Sequence, residues 1–368
     1  ATAQATIPWY AAEKVFLLSI QWIDFGQARP QYAVPVLDEQ TVCAVARLKE
    51  MKMNGKRIFL CTPLALGLWA CMGWAQADEA VYVPRPEQVN GPVYAIVGPL
   101  GQRSQANAGL NANYGFVVTP QGVILIDSGA SAHSAAMLEQ AIQKVTRQPV
   151  RWVLNTGSQD HRWLGNAYFA AKGAQVHAMA ATVKTQKVFA EQQILSLSRF
   201  VGDQMKGTQV QHATVVHPAT EVSLTLGGVQ LQWIQTNAHY PGDTMIHMPS
   251  HAVVLTGDLV YVDRLLGVLP QSNVRHASQA FERLRTLAPR HVVPGHGRVT
   301  DMAQAQKETG DYYRFLITQV GSAARNMESM SETLDTHAAP AQFKHLQNFD
   351  ELHRANMNRV FVDFESNP

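Results

Sequence analysis

The sequence predicts an α/β fold, and three observations predict it. β-rich runs alternate with segments of helical periodicity through the middle of the chain. No stretch rich in Pro, Gly or Ser divides the chain into linked domains. His and Asp residues sit on Gly-flanked turns that directly follow β-rich runs, which puts chemistry-bearing side chains at strand ends.

The elements follow in order. Tyr82 to Val97 and Asn113 to Asp127 read as strands, with β-branched and aromatic runs broken by Gly and Pro. Ser131 to Thr146 has helical spacing through Ala135, Met137, Leu138, Ala141 and Ile142, with Ser131 as its N-cap. Val150 to Leu154 is a strand, followed by a helix from about Trp163 to Lys172 and a short strand from Gln175 to Met179. Ala181 to Lys206 reads as a helix packing through Val188, Phe189, Ile194, Leu195 and Phe200. Strands return from Val222 to Leu259, and Ser278 to Leu287 is helical. Asp301 to Met330 is a longer helical stretch, with Tyr312, Phe315, Leu316 and Val320 at helical spacing, and Gln342 to Phe364 is a last one. The expectation is one compact domain, residues 78–368, with residues 302–368 as a helical extension.

The start of the chain reads differently. Met53-Asn54-Gly55-Lys56-Arg57 is a basic opening, Ile58 to Gly73 an apolar run, and Trp74-Ala75-Gln76-Ala77 a cleavage-type ending. Residues 53–77 are therefore expected to be a signal peptide, and residues 1–52 an upstream segment rather than a domain. The apolar run is shorter than the ~20 residues that span a bilayer. The expected location is periplasmic or secreted, without stable membrane insertion after cleavage. Cys43, Cys61 and Cys71 all precede Ala77, while all 14 His follow it, so imidazole and carboxylate must carry any chemistry. A formal net charge of +2, with no basic stripe, excludes nucleic acid as a partner and leaves a small-molecule substrate.

Four segments carry that chemistry: Asn155-Thr156-Gly157-Ser158-Gln159-Asp160-His161, Ala238-His239-Tyr240-Pro241-Gly242-Asp243-Thr244, Leu255-Thr256-Gly257-Asp258 and Val293-Pro294-Gly295-His296-Gly297. A turn Asp such as Asp258 commonly serves the backbone, but its company here is three imidazoles. Imidazole with carboxylate suits zinc or iron.

These segments, with the strand pair Tyr114–Thr119 and Gly122–Gly129, resemble the metallo-β-lactamase superfamily from about Val93 to Asp301. The resemblance implies a four-layer αββα sandwich and a metal-dependent hydrolase. The superfamily's His-x-His-x-Asp-His run is not kept. Aligned on Asn155-Thr156 and Gly165-Asn166, its ligand positions hold Gly157, Gln159, His161 and Arg162. Gly157 offers no side chain, and the guanidinium of Arg162 cannot coordinate a cation. With those losses, the resemblance implies one ion, Zn²⁺ or another divalent metal, held by ligands drawn from Asp160, His161, His239, Asp258 and His296. A shift of one residue, which would make Asp160-His161 the family's Asp-His pair, stays open. Asp160 and Arg162 are the catalytic candidates. Asp160 would orient the water or move its proton, and Arg162 would bridge a site carboxylate, receive an anionic substrate or stabilise an oxyanion. Asp127 would orient the ligand loop, and His177 is read as structural. The implied reaction is hydrolysis of an ester, thioester, lactone or amide by zinc-activated water. The alternative is an inactive binding protein that keeps the fold.

Overall fold

The computed structural model describes residues 80–367, so the expected upstream segment and signal peptide lie outside the described residues. Seven strands form the first sheet in chain order: β1 (Pro86–Asn90), β2 (Val93–Ile96), β3 (Tyr114–Thr119), β4 (Gly122–Ile126), β5 (Val150–Leu154), β6 (Gln175–Met179) and β7 (Val215–His217). It is antiparallel from β1 to β4 and parallel from β4 to β7. The second sheet is ordered β12-β11-β10-β9-β8, from β8 (Glu221–Leu226), β9 (Val229–Gln235), β10 (Thr244–Met248), β11 (Val253–Leu255) and β12 (His291–Val293). Only β11 and β12 pair in parallel there.

Three apolar layers hold the sheets and helices together. Val117, Ile124, Ile126 and Leu154 of the first sheet meet Trp233, Ile246, Val253 and Leu255 of the second. The outer face of the first sheet packs on α1 (Ala132–Gln143) through Ala135, Leu138, Ala141 and Ile142. The outer face of the second packs on α5 (Val274–Thr286) and on the C-terminal helices. The result is the helix–sheet–sheet–helix sandwich that the sequence predicts, with helices at its C-terminal end. Ser131 caps α1, its Oγ accepting from the Ser134 N–H.

Two departures from expectation shape the site. The helix expected from Trp163 is two short ones, α2 (Asp160–Trp163) and α3 (Asn166–Ala170). They break at Gly165, where a Cβ would lie 2.0 Å from the Ser128 carbonyl oxygen. The helix therefore starts on the ligand run itself, with Asp160, His161 and Arg162 in its one turn. In α4 (Ala180–Val201), Val188, Leu195 and Phe200, expected to pack, are 68%, 62% and 47% exposed. Polar residues face inward instead. Gln186 Nε2 donates to the Gly157 carbonyl at 3.3 Å, and Gln193 Nε2 to that of Ser158 at 2.7 Å. The ligand loop has backbone acceptors that need donors, and this demand outranks hydrophobic periodicity.

The C-terminal helices run as α6 (Met302–Ala305), a π segment (Gln306–Gly310), α7 (Asp311–Phe315), a second π segment (Leu316–Gly321) and α8 (Ser322–Arg325), followed by α9 (Met330–Thr336) and α10 (Phe349–Ser366). The first π segment grips the loop beyond β11. Thr309 Oγ1 accepts from the Tyr261 N–H at 3.0 Å, and Glu308 Oε2 accepts from that of Asp263 at 2.7 Å. The last helix begins at Phe349 rather than Gln342, because the Gln347 N–H is taken by the Asp263 carbonyl at 3.0 Å.

His177 joins β6 to β7, its Nδ1 3.2 Å from His217 Nε2. Burial, then the charge of His217, pushes its pKa down to about 4 from the ordinary 6.5. The unfolded chain then takes up the proton first as pH falls. Stability should therefore drop from about pH 6.5 to about pH 4, by at most about 1.4 kcal/mol per pH unit for this group. Urea titrations across that range should give a shallower pH slope for His177→Gln than for the wild type. An unchanged slope would refute the assignment.

Candidate metal site

The site is assembled on the strand ends of both sheets. At the end of β4, Asp127 adopts φ +65° and turns its carboxylate onto the next loop. Its Oδ1 accepts from the Thr156 N–H at 2.7 Å, and its Oδ2 accepts from Thr156 Oγ1 at 2.6 Å. Asn155 and Asn166 exchange amide hydrogen bonds at 3.0 and 2.8 Å, and Trp163 Nε1 donates to the Ser158 carbonyl at 3.1 Å. The loop from Asn155 to Gln159 is thus pinned at both ends, which fixes where α2 begins.

Arg162 lies at the centre, 1% exposed. Its Nη1 donates to Asp127 Oδ2 at 3.0 Å and to the Asn113 carbonyl at 2.9 Å. Its Nη2 donates to Asp258 Oδ1 at 2.5 Å and to the Gly295 carbonyl at 3.3 Å, and its Nε to Asp258 Oδ2 at 3.3 Å. A guanidinium has five N–H groups, and these contacts use them all. The expectation that Arg162 receives a substrate or an oxyanion is corrected on that ground. It is a buried bridge between two carboxylates, the other role foreseen for it. Asp127 meets only donors, so it acts as a carboxylate.

Three ligand atoms converge beside this bridge. His161, Asp258 and His296 are buried and present ligand atoms within 4.8 Å of one another. His161 Nε2 faces Asp258 Oδ2 at 3.5 Å, and His296 Nε2 faces Asp258 Oδ1 at 3.3 Å. His296 lies between glycines. Gly297 takes φ +93°, and a Cβ there would sit 2.0 Å from the Val262 carbonyl oxygen. His296 Nδ1 donates to the Asn111 carbonyl at 2.8 Å, which leaves a lone pair on Nε2, and Tyr261 stacks on the ring at 4.7 Å. Burial, with the nearby Arg264 charge, keeps His296 neutral by holding its pKa well below the ordinary value. Burial alone would raise the Asp258 pKa, but the Arg162 charge, then His161, outweigh it and hold Asp258 ionised.

The other two expected ligands stand outside this trio. Asp160 is turned toward Arg103, whose Nε and Nη2 donate to Oδ1 at 3.0 and 2.5 Å, and the His161 N–H donates to the same oxygen at 2.7 Å. Burial would raise its pKa, yet Arg103 and His161 hold it below the usual carboxylate range. Its Oδ1 also lies 3.3 Å from His161 Nδ1, so Asp160 can orient the ring without touching an ion. His239 is buried against Tyr240 and Tyr261, with ring centroids 6.1 and 5.8 Å away, and burial pushes its pKa down to about 4. At Gly157, a Cβ would meet Asp243 Oδ1 at 2.8 Å, so Asp243 crowds the position where a ligand side chain would start. Burial and the charge of Asp258 raise the Asp243 pKa well above normal.

Reading the sequence missed Arg103, Asp243, Arg264 and Tyr261. Arg103, Arg264 and Tyr261 lie in no motif, whereas Asp243 lies inside the His239 segment.

The donor set fits one divalent ion. Two imidazole nitrogens and a carboxylate oxygen are a sufficient set for zinc, and His161 Nε2 is buried with no hydrogen-bond partner. One feature opposes it. Arg103 Nη2 lies against His161 Nδ1, and a guanidinium only donates, so a neutral ring there carries its proton on Nε2. An ion at Nε2 requires that proton to move to Nδ1, where Asp160 Oδ1 can accept it once Arg103 withdraws.

The family model of the metallo-beta-lactamase superfamily matches residues 108–296. Among solved structures, a metallo-beta-lactamase from Pontibacter korlensis is 20% identical, with TM-score 0.50, covering 63% of this chain and 99% of its own. The DIM-1 metallo-beta-lactamase is 17% identical, with TM-score 0.50, covering 64% and 98%. A sec-alkylsulfatase from Pseudomonas sp. is 14% identical, with TM-score 0.57, covering 77% of this chain but 50% of the sulfatase. These structural likenesses concern the fold.

Proposed function

The chain belongs to the metallo-beta-lactamase superfamily, and we propose that it is a hydrolase working with one divalent metal, zinc, held by His161, Asp258 and His296. The observation that carries this reading is the pair of imidazole Nε2 atoms facing the two oxygens of one buried carboxylate at 3.5 and 3.3 Å. A zinc ion bound there would act as a Lewis acid and bring the pKa of a water toward about 7. The protein's own residues do the rest. Arg162 fixes the Asp258 carboxylate by its fork. The Asn111 carbonyl sets the His296 tautomer. Asp160 would orient His161 through Nδ1 once Arg103 withdraws. His239 stays neutral above about pH 4, buried outside the trio. The hydrolysed bond is an ester, thioester, lactone or amide. Export rests on the sequence of residues 53–77.

The test is hydrolysis of a generic ester and thioester panel by purified protein before and after chelation, with metal content followed in parallel. Activity should disappear with the metal and return on adding zinc. Asp160→Asn should weaken zinc binding by about 10–100-fold, the usual effect of removing a carboxylate behind a ligating His. Full activity in chelated protein would refute the reading. The second reading, a binding protein of the same fold, is favoured by Arg103 covering His161. It predicts no turnover of any substrate in the zinc-loaded protein.

A further inference from the structure

The two faces of α4 do different work. Its inner face is spent on the site: Gln186 and Gln193 hold the carbonyls of Gly157 and Ser158, and Phe189 stands edge-on to Tyr240 at 5.7 Å. Its outer face mixes cations with aliphatic side chains. Lys184, Val188, Leu195 and Arg199 stand at i, i+4, i+11 and i+15, which puts them within about 60° of arc on a helix of about 3.6 residues per turn. Val188 and Leu195 are exposed, and so are the two cations at the ends of the line. Lys187 and Phe200, exposed as well, border it, and Glu191 is the only acid in the helix. Lys184, Lys187 and Arg199 have no salt-bridge partner among the described residues, whereas α5 pairs Arg283 with Glu221 and Arg285 with Glu282. Exposed aliphatics continue past the end of the helix. Gln204 Nε2 donates to the Gln105 carbonyl at 3.0 Å. The next carbonyl, of Ala106, accepts from the Tyr82 N–H at 2.8 Å, and Tyr82 lies between the exposed Val81 and Val83.

We propose that the outer face of α4 docks the protein on an anionic lipid surface. Lys and Arg on a helix gain from the negative potential of acidic headgroups, and Val188, Leu195 and Phe200 can enter the boundary between headgroups and acyl chains. Lysine side chains bury their stems there and keep their ammonium groups among the headgroups. An acidic protein fits this face less well. The centres of protein interfaces are depleted in Lys, and here Lys184 and Lys187 stand within a turn of Val188. The attachment is peripheral, since no helix among the described residues is long and apolar enough to cross a membrane. Three cations and a few aliphatic side chains give reversible, salt-sensitive binding. Docked in this way, α4 has lipid on one side and the loop of the candidate site on the other. The docking requires neither metal nor turnover, so it stands apart from the hydrolase reading.

The experiment uses residues 78–368, the expected exported form, which holds every core layer described above. The apolar run of residues 58–73 is thereby kept from inserting on its own account. Co-sedimentation is measured with vesicles of phosphatidylcholine alone and of phosphatidylcholine mixed with phosphatidylglycerol. Binding should require the anionic lipid and weaken as salt is raised. Lys184→Glu combined with Lys187→Glu should lower vesicle affinity by about tenfold or more, at about fivefold for each cation lost from an acidic surface. Val188→Asn combined with Leu195→Asn should lower it several-fold, which a purely electrostatic contact would not show. All four side chains are exposed, so thermal midpoints should stay near that of the wild type. Lys307→Glu combined with Lys344→Glu makes the same change in net charge among the exposed residues of the C-terminal region, and should bind as the wild type does. No binding of the wild type to anionic vesicles overturns the proposal, and so does an equal loss in the Lys307 and Lys344 variant. Polyglutamate bound as tightly as the vesicles, with no effect of the Val188 and Leu195 substitutions, would assign the face to an acidic protein and overturn lipid docking.

Discussion

Arg162→Met is expected to lower the unfolding free energy by about 3–5 kcal/mol, the usual effect of removing one partner from a buried ion pair. The substitution keeps much of the side chain's apolar bulk and removes only the fork. It strands two carboxylates, Asp127 and Asp258, each 3% exposed or less. It also takes the Nη1 donor from the Asn113 carbonyl, while the Gly295 carbonyl keeps the Asn113 N–H at 2.8 Å. Arg162→Lys should recover only part of the loss. An ammonium is a point charge with three donors, and it cannot reach both carboxylates and both carbonyls at once. Urea unfolding of the metal-free proteins checks this. A change within about 1 kcal/mol, the range of exposed ion pairs, would mean that the bridge is not what holds the two sheet edges together.

The second large effect is expected from Asp258→Asn. This carboxylate is where Arg162, His161 and His296 meet, so one substitution touches both stability and metal binding. Zinc binding should weaken by more than the about 10–100-fold that loss of an outer partner brings, because here a ligand itself is changed. Hydrolysis should fall to background. The amide also presents an NH₂ group to one of its three cationic or imidazole neighbours, which a carboxylate would not. Stability should drop too, since Arg162 keeps only Asp127 as an anionic partner. Binding measured in zinc-buffered solution, alongside urea unfolding, separates the two consequences. Retained zinc affinity in a folded variant would remove Asp258 from the ligand set.

Much of this was legible in the sequence because it was local. Strand and helix periodicity located most of the strands and helices, the family resemblance implied their arrangement as two sheets between helices, and Gly-flanked His and Asp marked the turns on which the trio sits. What stayed hidden depends on contacts between distant segments. Arg103 reaches Asp160 and His161 across 57 and 58 residues, from a loop with no motif. Arg264 is ordinary in the sequence, and only the fold brings its Nη1 to 3.5 Å from His296 Nδ1. The inward face of α4 was misread because Gln186 and Gln193 serve backbone carbonyls of the ligand loop. Arg162 was read as unable to bind a metal from the chemistry of a guanidinium alone. That all its donors are spent inside the protein follows only from geometry.

The central claim is that one cation, and not two, belongs beside the Arg162 bridge. The direct measurement is metal content per chain by atomic emission, on protein loaded with excess zinc and then desalted. About one equivalent is predicted, lost in His296→Ala and in Asp258→Asn and kept in His239→Ala. Two equivalents, or none in a fully folded protein, would contradict the account.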